Sequence, residues 1–113
     1  MNKVRLNRIN DEIKKEAAIV IRELKDPRLA KMITVTAVKT TNDLKQCKIY
    51  VAVMGDMGEK ENSLELLTRS AGFIRREIAH NLNLRNTPEI SFVRDDSLDE
   101  SYRIGKLLDS LDG

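Results

Sequence analysis

Tryptophan is absent from this chain, and histidine and cysteine occur once each. The single histidine, His80, excludes a histidine ligand cluster or a two-histidine relay within one chain. The single cysteine, Cys47, cannot form an internal disulfide, which suits a reducing compartment. Aromatic residues make up 4%, too few for a protein that grips single strands on a row of stacked rings. No apolar run approaches the roughly 20 residues that span a bilayer. Met1-Asn2-Lys3-Val4-Arg5 leads straight into a charged helical pattern without the apolar core of a signal peptide, so a cytoplasmic protein with no membrane partner is expected. No phosphate-binding glycine loop is present. The acidic pairs Asp95-Asp96 and Asp99-Glu100 lack calcium-loop spacing and read as helix-capping groups. No catalytic constellation remains, so we expect no enzyme, no metal and no cofactor.

What is present suits one folded domain over residues 1–113. Charged residues account for 34% and hydrophobic ones for 41%, and a chain of this length can bury roughly two-thirds of its unfolded surface. The net charge of +2 is unevenly spread. Residues 1–54 hold twelve Lys/Arg against six Asp/Glu, and residues 55–113 hold eight against twelve. A basic first half favours a polyanionic partner; an acidic end favours a protein partner.

Residues 3–25 read as an amphipathic helix with Leu6, Ile9, Ile13, Ala17, Val20 and Leu24 as its apolar stripe. Arg8, Lys15 and Arg22 recur every seven residues on the far face, either to meet phosphates or as a solvated helix back. Pro27 should end the helix near Asp26. Residues 32–39 alternate as a strand, with Ile33, Val35 and Ala37 on one side. Thr40-Thr41-Asn42-Asp43 supplies turn chemistry. Residues 46–54 alternate again, with Cys47, Ile49, Val51 and Val53 inward, so the two strands should form an antiparallel hairpin. Residues 55–61 read as a polar loop, with Asn62 or Ser63 as the N-cap of the next helix.

That helix carries Leu64, Leu67, Ala71, Ile74, Ile78 and Leu82 on one face and Arg69, Phe73, Arg76 and His80 on the other. The stripe keeps its phase through Gly72, so periodicity alone predicts one helix of about 20 residues. Arg69, Arg75 and Arg76 around the glycine form either a phosphate-binding face or a solvated one. A bend at Gly72 would turn Phe73 into the core; facing solvent, its ring would offer a stacking surface. Ile90 and Phe92 mark a short third strand with Pro88 at its start. Ser97 to Glu100 has capping-box spacing before a last helix with Ile104, Leu107, Leu108 and Leu111. The order makes an α+β domain with helices packed on one face of a three-stranded sheet.

Asp26-Pro27-Arg28-Leu29, Thr34-Val35-Thr36, Asp43-Leu44, Gly72-Phe73-Ile74-Arg75, Leu84-Arg85, Pro88-Glu89 and Asp96-Ser97, in this order, resemble the bacterial ribosome-binding factor A family across nearly the whole chain. The resemblance implies a type II KH-like fold, helix-strand-strand-helix-kink-helix-strand, plus a short C-terminal helix. In place of the KH G-x-x-G loop the family has an interhelical Ala-x-Gly kink. Here Ser70-Ala71-Gly72 aligns with it, serine standing at the alanine position, where its hydroxyl could bond a preceding carbonyl. The resemblance further implies a non-enzymatic assembly factor that binds the free small ribosomal subunit and its ribosomal RNA; we expect a monomer. Its implied role is late subunit maturation, including 5′-end processing and growth in the cold, alongside ribosomal proteins and a maturation GTPase. The expected RNA-binding residues are Arg5, Arg8, Lys15, Arg22, Arg69, Ser70, Ala71, Gly72, Arg75 and Arg76. The alternative is a protein-interaction module with incidental RNA contact.

Overall fold

The computed structural model describes residues 2–30 and 32–97. The expected last helix lies outside them. The described elements are α1 (Lys3–Glu23), β1 (Ile33–Thr40), β2 (Gln46–Val53), α2 (Met57–Arg69), α3 (Ala71–Leu82) and β3 (Glu89–Arg94). The strands form one sheet in the order β1-β2-β3. β1 runs antiparallel to β2, as the short turn requires, and β3 runs parallel to β2. Two parallel neighbours need a crossover, and the α2–α3 pair supplies it.

α1 obeys its stripe: Ile13, Ala17 and Val20 are buried, whereas Arg8, Lys15 and Arg22 are exposed. Its C-cap is Leu24, and Lys25 turns the chain with a left-handed φ of 47°. Asp26 then folds the next turn around Arg28. Its carboxylate accepts from the Arg28 backbone N–H at 2.9 Å, from Nε at 3.1 Å and from Nη2 at 2.8 Å. Leu29 and Ala30 are thereby presented to the core. β2 is the central strand, and Cys47, Ile49, Val51 and Val53 are all buried on its helix-facing side. They meet Ile74, Ile78 and Leu67 from the crossover in a single core.

Several expectations are corrected. The alternation of β1 breaks at Thr36, where a bulge interrupts pairing between Val35 and Ala37. The extra residue reverses the inward phase, so Val38 and Thr40 are buried in place of Ala37. The stretch read as a loop is the first turn of α2, capped by Asp56, whose Oδ1 accepts from Glu59 N–H at 2.8 Å. Ser63 is no cap. It is fully buried, and its hydroxyl accepts from Ala30 N–H at 3.0 Å, tying the α1–β1 connection to α2. Phe73 does not turn inward and remains 45% exposed.

The end of β3 is also pinned. Asp95 N–H donates to Val51 O at 2.8 Å, and Asp95 Oδ2 accepts from the Thr36 hydroxyl at 2.7 Å. The bulged residue thus reaches across the sheet to the end of its far strand. The Ser97 amide and hydroxyl, together with the Thr36 hydroxyl, hold the Asp95 carboxyl below the usual carboxylate range.

Capping and burial separate three substitutions. Asp56→Ala should cost about 1 kcal/mol of stability. Ser63→Ala should cost about 1–3 kcal/mol by stranding the Ala30 N–H. Asn62→Ala, at an exposed helix position, should stay within about 0.5 kcal/mol. Urea unfolding of the three variants measures the order directly.

Candidate nucleic-acid interface

The crossover breaks at Ser70, whose φ of −88° and ψ of 1° lie outside the helical range. The hydrogen-bond ladder nevertheless runs on: Ser70 N–H donates to Leu66 O at 3.0 Å, and Ile74 N–H donates to Ser70 O at 2.9 Å. A bend that keeps these i→i−4 bonds also keeps the angular phase of the stripe. That is why periodicity showed no interruption, and why Phe73 stays on the outer face. The Ser70 hydroxyl bonds no carbonyl among the described residues. The break is therefore a backbone feature, with Ala71 half-buried beneath it.

Gly72 follows in the first turn of α3. A Cβ placed there would meet no atom within 4 Å, so packing does not demand glycine. Glycine inside a helix costs about 1 kcal/mol relative to alanine. The bare backbone instead forms part of a concavity of about 530 Å³ lined by Arg75, Arg76, Ala79, Arg85, Asn86 and Thr87. No carboxylate lines it. The α3 C-terminus closes on Asn83, left-handed at φ 54°, with Leu84 N–H donating to Ala79 O at 3.1 Å. This turn swings Arg85 back beside α3. Arg75 Nη2 donates to Thr87 O at 2.7 Å, so Arg75 both lines the concavity and fastens the loop. The Arg76 and Arg85 side chains have no hydrogen-bond or ion-pair partner among the described residues.

The expected contact residues are divided among several surfaces. Gly72, Arg75 and Arg76 come together. Arg69 does not join them: it pairs with Glu65 at 2.6 Å and lies in a separate groove with Arg28 and Asn62. Arg5, Arg8, Lys15 and Arg22 are exposed along α1. Arg22 borders a groove with Lys25 and Asp26, and Lys15 borders another with Asp11, Lys14 and Val35. Arg85, Asn86 and Thr87 were missed as site residues, because only the closure of the α3 C-terminus brings them to the helix.

The match to the family model of ribosome-binding factor A spans residues 5–108. The chain belongs to the ribosome-binding factor A family. It is 47% identical to a ribosome-binding factor A of Clostridium tetani over 112 residues, covering 98% of this chain and 93% of that one. Its fold is similar to the crystal structure of ribosome-binding factor A from Thermus thermophilus, with TM-score 0.70 and 26% identity over 83% of this chain and 97% of that one. It is also similar to a homology model of the Thermus thermophilus ribosome-binding factor A fitted into a cryo-EM map of its complex with the 30S subunit. There the TM-score is 0.67, with 26% identity over 77% of this chain and 91% of that one. The described residues thus form an α+β fold of three helices and a three-stranded mixed sheet, similar to these ribosome-binding factor A structures. No helix among the described residues is long and apolar enough to cross a membrane.

The Asp26–Arg28 turn supplies a pH test. Hydrogen bonds from the Arg28 guanidinium and backbone N–H lower the Asp26 pKa from 3.8 to about 2. A depressed carboxylate stabilises the fold above its unfolded pKa and loses that contribution as pH falls through the folded value. The window here runs from about pH 4 down to about 2. A carboxyl NMR titration should find the low midpoint, and Arg28→Ala should return it toward 3.8.

Proposed function

We propose that this protein binds the free small ribosomal subunit through its ribosomal RNA and acts as a non-enzymatic factor in late subunit maturation. The observation that carries this reading is the concavity in which the Arg76 and Arg85 side chains stand without partners among the described residues, beside the exposed backbone of Gly72. Guanidinium groups present forked donors to phosphate oxygens. An unneutralised pair in a concavity that no carboxylate lines makes a site for a sugar–phosphate surface, and a missing Cβ lets that backbone approach closely. Family membership and the 30S complex described for the Thermus thermophilus relative support the same partner. The basic row on α1 adds longer-range attraction to the polyanion. Such a protein would favour one RNA conformation by differential affinity and so time a maturation step. Processing of the RNA 5′ end, function in the cold and cooperation with a maturation GTPase belong to this proposal as consequences of that timing.

The reading makes opposite demands on stability and binding, which a pair of variants separates. Gly72→Ala should raise stability by about 0.5–1 kcal/mol and weaken sedimentation with free small subunits. Arg76→Glu combined with Arg85→Glu should leave the circular-dichroism spectrum intact and weaken binding at least tenfold. The slope of log affinity against log salt should also become shallower, by about 0.7–0.9 for each phosphate that is no longer neutralised. Unchanged affinity and slope in the double variant, with the fold intact, would falsify the assignment of this concavity to RNA.

A further inference from the structure

The chain has four methionines, and all three beyond Met1 lie at one end of the sheet. Met32 precedes β1 and Met54 follows β2; Met54 N–H donates to Met32 O at 3.1 Å, so the two residues sit side by side. Met57 opens α2 three residues later. Their exposures are 62%, 54% and 58%. Met32 and Met54 line a groove of about 560 Å³ with Pro27, Leu29 and Ala30. Thioether side chains left in water at one spot form an adaptable apolar surface, because an unbranched chain can repack around different partner shapes.

Among the described residues, Glu59 is the charged side chain lining the groove that forms no ion pair. Gly55, at φ 145°, takes a backbone conformation that L side chains rarely adopt, and a Cβ there would lie 2.7 Å from Glu59 Oε2. The Glu59 carboxylate therefore folds over the Gly55 backbone, and Asp56 stands beside it as the α2 cap. Arg28, the cation lining the groove among the described residues, is held by Asp26. A phosphate backbone meets unfavourable charge here, whereas an apolar side chain next to a lysine or arginine meets both a floor and a counter-charge.

We propose that Met32, Met54 and Met57 dock a basic protein segment of the small subunit, one that carries an apolar anchor beside a lysine or arginine. The partner's origin rests on the function proposed above; the site itself does not share its residues. The arginine concavity adjoins the loop that Glu89 N–H ties to Lys45 O at 2.8 Å, at the hairpin end. Met54 lies at the other end of β2, about 25 Å away at strand rise. One protein could thus hold RNA at one end and a protein at the other.

Methyl-labelled methionine in the full chain tests this. The chain is titrated separately with intact free small subunits, with protein-free small-subunit ribosomal RNA, and with the protein fraction extracted from small subunits. The Met32, Met54 and Met57 methyl signals should broaden with subunits and with the protein fraction, and remain sharp with RNA alone. Met32→Gln, Met54→Gln and Met57→Gln together should weaken subunit binding about tenfold. Melting temperature and salt slope should stay unchanged, since these side chains are exposed and neutralise no phosphate. Broadening by RNA alone would assign the patch to nucleobases, and broadening that grows with protein concentration and no partner would assign it to a second copy; either overturns the proposal. Sharp signals under every condition overturn it as well. Wild-type protein that binds neither subunits nor RNA defeats the functional reading instead, and the protein-fraction titration still decides the patch.

Discussion

β3 lies parallel to β2, and the rest of the molecule follows from that pairing. A chain that leaves β2 at Val53 must travel back along the sheet before Glu89 can pair with Gln46. Two helices of 13 and 12 residues make the return. Because they lie against the same sheet face as α1, their apolar stripe closes the core over Ile49 and Val51. The return path also creates the surfaces of interest. Its departure leaves Met54, Gly55 and Met57 exposed at one end, and its arrival brings Arg85 to Thr87 beside α3 at the other.

The two ends differ in the physics they offer. At the arriving end, Arg76 and Arg85 form no ion pair among the described residues, and the force they would exert on an outside anion is long-ranged and weakened by salt. At the departing end the force on offer would be removal of apolar surface from water, short-ranged and insensitive to salt. Neither feature serves the fold. Gly72 costs helix stability with nothing packed against it, and three exposed methionines bury little. Features that folding does not require are where binding is to be sought. The Asp26–Arg28 turn is the opposite case: a cation that looks available in the sequence is consumed in shaping a loop.

Much of the architecture was legible because its causes are local. The α1 stripe, the β2 alternation and the Thr41–Asp43 turn chemistry depend on residues within a few positions of one another. The turn forms as read, with Thr41 Oγ1 donating to Asp43 Oδ1 at 2.6 Å and accepting from Gln46 N–H at 3.1 Å. The first turns of α2 were not legible, because they lie exposed and carry no stripe. Ser63 was misread for the complementary reason: a small polar residue looks like a cap until its distant partner, the Ala30 N–H, is in place. The bulge at Thr36 has no local signature either, and its hydroxyl is engaged by Asp95, 59 residues away. Of the candidate site, the basic face of α3 could be drawn on a helical wheel. The exclusion of Arg69 and the recruitment of Arg85 could not.

The sequence by itself determined most helical and extended segments and, outside the first turns of α2 and the β1 bulge, which side of each is apolar, since those properties arise from side-chain period and short-range hydrogen bonding. Only the tertiary structure decided which charges remain available and which apolar side chains stay in water. Arg75 meets Thr87 across the α3 turn, Arg28 is locked by Asp26, and Met32 meets Met54 across two strands. Each outcome depends on groups brought within a few ångströms by the packing of whole elements, a distance that no spacing along the chain encodes.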